Sequence, residues 1–220
     1  MRIKKMDDLA SMSHNFDADL EKYRAADNME EFYDKWANEY DNILLPSRLM
    51  AINDFAAQLL ESKVKDKEVK ILDVACGTGL TGVALQNVGY KTIDGIDLSN
   101  EMLGKAKKKN IYRNLTQGCI NEKDTLPHDN DSYDIVTCMG AISKNSIAIE
   151  HALRDFIRVT KPGGYCAYTV NDIHNERSCF ESHGRVITAL KCELVLMEQR
   201  FYYLKDNKET NCYFCLIKVL

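Results

Sequence analysis

Strands and helices alternate through the middle of the chain, and two strands joined by a short polar turn close it. This order predicts an α/β fold: a mostly parallel seven-stranded sheet, helices on both faces, and a C-terminal antiparallel hairpin. A glycine-rich turn follows the first strand, and an acid stands at the end of each of the first two strands, which marks where a ligand would lie. With 220 residues the chain suits one compact domain. Residues 1–62 read as an N-terminal helical lid segment and residues 63–220 as the ligand-binding domain.

In NMEEFYDKWANEYDNILL, Phe32, Trp36 and Tyr40 recur every fourth residue, which predicts one apolar helix stripe. Pro46 can open a second helix that runs through SRLMAINDFAAQLLES to about Ser62, before the charged linker KVKDKE. VKILDVAC predicts a buried strand, TGLTGVALQNVG a helix ending at Gly89, and KTIDGIDL a second strand. SNEMLGKAKKKN predicts a helix capped by Ser99 or Asn100. NLTQGCI gives a short third strand and SYDIVTCMGA a fourth. IAIEHALRDFIRVT is expected as a helix stopped by a turn at Lys161-Pro162-Gly163-Gly164, and YCAYTV as a fifth strand. A helix over about Arg177 to Lys191 then leads to LVLMEQRFYYLK, a DNKET turn and NCYFCLIKVL.

A formal net charge of −4 gives no global basic field to attract nucleic acid. The run Lys105 to Lys109 is expected on the solvated face of its helix. No apolar run is long enough to cross a membrane as a helix, and the N-terminus lacks a secretory apolar region. The eight cysteines are therefore expected as free thiols, and the protein in the cytoplasm or nucleus. Cys212 and Cys215 lie three apart in a strand, hence on opposite faces, which argues against a metal pair.

Gly77, Gly79 and Gly82 spell the G-x-G-x-x-G pattern of dinucleotide sites. Asp73, just before the loop, would repel a pyrophosphate. S-adenosylmethionine carries no phosphate and has a sulfonium and an ammonium group, so it suits an acid there. Asp97, closing the second strand, can accept hydrogen bonds from ribose hydroxyls.

ILDVACGTG, GIDLSNEML, SYDIVTCMGAI and RVTKPGGY resemble, in order and spacing, the motifs of class I S-adenosylmethionine-dependent methyltransferases over about Val69 to Val170. FYDKWANEYD further resembles the Williams-Beuren-region methyltransferase-like subgroup. The resemblance implies a Rossmann-like sheet whose sixth and seventh strands are the hairpin, with S-adenosyl-L-methionine as cofactor and S-adenosyl-L-homocysteine as product. It implies that Asp73, Gly77 and Gly79 line the methionine part and Asp97 holds the ribose. Leu98 and Met102 would flank the adenine, and Tyr33 and Tyr40 would help cover the site. Ala75 stands where the family has its first loop glycine. Cys119, Ile120 and Cys138 complete the expected pocket; no acid stands at Gly118-Cys119-Ile120 for the adenine amine, a contact that can pass to a backbone carbonyl or to Asn121.

The stretch after the fourth strand, TCMGAI, has no amide followed by prolines, which argues against nucleobase or glutamine methylation. The expected acceptor is a small molecule, with a protein side chain as the lesser option. Candidate bases are His174, His183, His151 and Asp172, and none is assigned as catalytic. A dehydrogenase is disfavoured by Asp73 and by the terminal hairpin. A cofactor-binding scaffold without chemistry stays open.

Overall fold

The computed structural model describes residues 28–44, 50–120, 125–143, 147–171, 176–190, 192–205 and 208–220. Helix α1 (Met29–Leu44) is capped by Asn28, whose Oδ1 accepts from the amides of Glu30 and Glu31 at 3.1 and 3.3 Å. Helix α2 (Met50–Lys63) precedes β1 (Lys70–Val74), α3 (Leu80–Asn87), β2 (Thr92–Asp97), α4 (Asn100–Lys108) and β3 (Asn114–Gln117). Then come β4 (Tyr133–Ser143), α5 (Ile149–Val159), β5 (Thr160–Asn171), α6 (Glu176–Ala189), β6 (Cys192–Lys205) and β7 (Lys208–Val219).

The seven strands form one sheet in the order β3-β2-β1-β4-β5-β7-β6. Every pairing from β3 to β5 is parallel, while β7 runs antiparallel to both β5 and β6. Strand parity sorts the core into two layers. Leu72, Val74, Val136, Cys138, Tyr168 and Ile217 face the layer built with Leu153 and Phe156 of α5. Ile71, Ile135, Ala167, Phe214 and Leu216 face the layer built with Ala56 and Leu60 of α2 and Leu85 of α3. Cys212 belongs to the second layer and Cys215 to the first, so the two thiols face apart as their spacing requires.

Three boundaries and the setting of one lysine differ from the sequence expectation. Helix α5 ends at Val159, and Lys161-Pro162-Gly163-Gly164 lies inside β5 rather than forming a separating turn. The pairing with β4 shifts register there, between Tyr133 and Ile135, and Gly163 takes φ +84°. The bulge lets strand and turn residues share one element. At the hairpin, Lys208, Glu209 and Thr210 extend β7, so pairing reaches into the predicted DNKET turn. Strand β3 stops at Gln117, before Gly118-Cys119-Ile120. Lys109, expected on a solvated face, instead donates to Asp41 of α1 at 2.7 Å and to the carbonyl of Thr78 at 2.6 Å.

Seven described cysteines are free thiols, and among the described residues no His, Cys, Asp or Glu group could hold a metal. Among the described residues, no helix is long and apolar enough to cross a membrane.

Candidate cofactor site

The turn between β1 and α3 sets the site. Ala75, Gly77 and Gly79 all take positive φ, at 53°, 54° and 94°. For Ala75, the only one of the three with a Cβ, the left-handed conformation costs about 1 kcal/mol. The turn is pinned to β2: the Cys76 amide donates to the carbonyl of Ile96 at 3.0 Å, and the Gly77 amide donates to Asp97 Oδ2 at 2.7 Å. Asp97 Oδ1 accepts from the Ser99 amide at 2.9 Å, and Ser99 caps α4 by accepting from the Met102 amide at 3.1 Å. Burial raises the Asp97 pKa above the usual carboxylate value, against the pull of these amides.

Over this turn opens a cavity of about 520 Å³. Of the site residues expected from sequence, Tyr33, Tyr40, Ala75, Gly77, Asp97, Leu98, Met102, Cys119 and Ile120 line it. Among the described residues, its lining includes Glu30 and Asp97 and no Lys, Arg or His. The wall away from the turn is apolar or small: Leu126, Met139, Gly140, Ala141 and Ile147. Residues 139–141 lie where β4 shifts register against β5 between Cys138 and Ile142, and the Gly140 amide donates to Thr169 Oγ1 at 2.7 Å. The bulge turns this stretch toward the cavity.

Three expected residues stand off the wall. Asp73 is fully buried beneath the turn, because Val74 takes the cavity side and the adjacent side chain must point to the other face. Gly79 serves as the N-cap of α3, against Tyr112 and Ala106. Cys138 is sealed within the first core layer. Asp73 accepts from Tyr112 Oη at 2.7 Å and from Thr137 Oγ1 at 2.8 Å. Desolvation pushes its pKa up to about 7 despite those two donors.

Helix α1 closes over the turn and α4 through several polar ties. Asp34 accepts from Ser99 Oγ and from the Glu101 amide; Asp41 accepts from Thr78 Oγ1 and pairs with Lys109. Gln117 at the end of β3 donates to Glu30 at 2.8 Å. On the opposite rim, α5 holds Leu126 by both backbone groups: its amide donates to Asp155 Oδ2 at 2.6 Å, and its carbonyl accepts from Arg158 at 2.9 Å. Arg158 also reaches the carbonyl of His128 at 2.7 Å and pairs with Asp155 at 2.8 Å.

These tying residues (Tyr112, Thr137, Lys109, Asp34, Asp155 and Arg158) carry no local motif. Tyr112 has one indirect signal, the glycines it packs against. A Cβ at Gly82 would lie 2.5 Å from Tyr112 Oη, so the third glycine of the pattern clears this ring. Gly82→Ala is expected to destabilise the protein by about 2 kcal/mol, or about 4–8 °C in Tm by calorimetry. An unchanged Tm would show that the ring moves freely.

The two described histidine candidates, His183 and His151, do not line the cavity. His183 is buried against Tyr168, with Nε2 2.5 Å from the tyrosine hydroxyl, and burial lowers its pKa to about 4. His151 sits half-buried on α5 and is not on the wall. Asp172, His174 and Asn121 lie outside the described residues.

Comparison with known proteins agrees with this architecture. Residues 71–164 match the family described as methyltransferase domain. The chain is 34% identical over 142 residues to human methyltransferase-like protein 27, covering 63% of this chain and 56% of that one. It is 30% identical over 154 residues to a demethylmenaquinone methyltransferase of Chlorobaculum tepidum, covering 67% and 60%. The chain thus spans less than two thirds of either relative. Among solved structures, it resembles a chain of the Haloferax volcanii complex of the Trm112 methyltransferase activator with a methyltransferase, at TM-score 0.67 and 18% identity, covering 87% and 97%.

Sheet order, terminal hairpin and matched domain together define the class I S-adenosylmethionine-dependent methyltransferase fold. Residues 71–164 carry the methyltransferase domain of that family, whose cofactor is S-adenosylmethionine. The cavity fits such a group: among the described residues its wall carries Glu30 and Asp97 and no basic side chain for a phosphate, and its remaining surface is largely apolar.

Proposed function

We propose that this protein transfers a methyl group from S-adenosylmethionine to a small, largely apolar acceptor. The observation that carries the reading is the cavity wall, whose described residues include two acids and no base, resting above a third, buried acid. Such a field favours a cationic, phosphate-free nucleoside and disfavours a dinucleotide.

When bound, the cofactor supplies an activated methyl on a sulfonium. Asp97, already fixed by the amides of Gly77 and Ser99, would accept from ribose hydroxyls with its remaining lone pairs. Leu98 and Met102 would pack the adenine. Asp73 would act from beneath the turn, through its charge rather than by contact. Residues 1–62 would serve as the lid, of which α1 brings Tyr33 and Tyr40 to the cavity. Met139, Ala141 and Ile147 offer the acceptor no charged partner, which supports a neutral or aromatic ligand and exclusion of water. The similarity to the demethylmenaquinone methyltransferase of Chlorobaculum tepidum is in keeping with an apolar acceptor.

Titration calorimetry should detect S-adenosylmethionine binding and no binding of NADH. The pH dependence carries a sign. A bound cation favours ionised Asp73, so binding releases a proton from a carboxyl that titrates near 7. Affinity should therefore rise about three- to tenfold from pH 5.5 to 7 and level off above. Affinity that falls over this range would reject the charge match. Transfer itself is tested with tritiated-methyl cofactor and a fractionated metabolite extract; label confined to macromolecules would reject the small acceptor.

A further inference from the structure

Tyr112, in the segment between α4 and β3, has no role in the reading above, yet it reaches Asp73 at one end of the turn and Gly79 and Gly82 at the other. Its ring lies in a trough that only glycines leave open. A Cβ at Gly79 would come 3.0 Å from the ring, one at Gly82 2.5 Å from the hydroxyl, and one at Gly95 2.9 Å from the ring edge. Its hydroxyl donates to Asp73 Oδ2 at 2.7 Å and lies against Gly82, in the first turn of α3, so it is wedged between the end of β1 and the start of that helix.

We propose that Tyr112 is a positioning residue for the cofactor: it locks the Asp73 carboxylate to the start of α3 and so fixes the turn between β1 and α3 in its binding shape. The inference rests on the methyltransferase reading. The titratable groups facing Asp73 are Tyr112, Asp97, Cys76 and Cys138, and burial raises both thiols and the phenol, leaving them neutral. Asp73 and Asp97 are thus the groups that can carry charge there. Each of the two hydroxyls on Asp73 favours its ionised form, and removing one shifts the carboxyl toward protonation.

The test compares wild type with Tyr112→Phe, which keeps the ring in the trough and removes the hydroxyl. S-adenosylmethionine affinity by calorimetry should fall about tenfold at pH 7, and the pH at which affinity levels off should move upward. In the cofactor-free protein, the carbon-13 NMR titration of the Asp73 carboxyl should move alkaline. Adding Tyr112→Phe to Asp73→Asn should weaken binding no further than Asp73→Asn alone. Wild-type affinity in Tyr112→Phe overturns the proposal and leaves the methyltransferase reading standing; absence of binding by wild type removes that reading instead. Weakened binding with an unmoved Asp73 titration also overturns it, since the ring then acts only as packing. Should Tyr112→Phe fail to fold, Asp73→Asn with Tyr112 intact serves alone, and unchanged affinity there overturns it equally.

Discussion

Asp97→Ala is expected to raise the dissociation constant for S-adenosylmethionine about 100-fold, a loss of about 2.7 kcal/mol. Two effects add. The ribose would lose a charged acceptor, and such bonds contribute about 1.5–3 kcal/mol each. The amides of Gly77 and Ser99 would also lose their partner, so the turn and the start of α4 would no longer be held together. Asp97→Asn separates the two, because its single carbonyl oxygen can keep one of these amides or one ribose hydroxyl but not all of them. It should fall between wild type and alanine. Calorimetry on all three proteins checks the order; an alanine variant within threefold of wild type would place the ribose elsewhere.

Arg158→Met is expected to lower stability by about 2–4 kcal/mol, the second large effect. Arg158 reaches the carbonyls of Leu126 and His128, while Asp155, only 5% exposed at its side chain, keeps its charge when the guanidinium is gone. Removing one partner of a buried pair costs more than the pair itself contributes, and partial exposure of Arg158 tempers the figure here. The loss should also appear as weaker cofactor or acceptor binding, because Leu126 lines the cavity. Asp155→Asn in the same background should recover part of the stability by removing the stranded charge. Denaturant unfolding measures both, and equal stability of Arg158→Met and wild type would show that the rim stands without this staple.

The architecture was legible because parity and alternation are local. KILDV and TIDGID read as strands from their apolar runs, and the hairpin from two strands about a polar turn. The strand order, with β7 between β5 and β6, was not read from the sequence, because pairing between strands distant in the chain leaves no local pattern. Asp97 was legible as a cavity residue because the strand ends there. Asp73 was misjudged in position by one step of the same alternation: Val74 takes the cavity face, so its neighbour lies below. Tyr112, Lys109 and Arg158 were not legible, since their partners lie 39, 68 and 32 residues away and no spacing rule links them. Helix α5 stops at Val159, next to the expected end, but the Lys161-Pro162-Gly163-Gly164 turn differed because a bulged strand can absorb a proline–glycine turn.

The position of β7 bears on how the protein is made. Strand β6 leaves the ribosome before β7, yet its only neighbour in the sheet is β7, which also covers β5. Until the last strand arrives, the nascent chain carries one orphan ribbon and one bare edge on a half-built sheet, both able to pair with other polypeptides. Completion of the layer is thereby postponed until β7 has been made, and chaperone demand should concentrate in that interval.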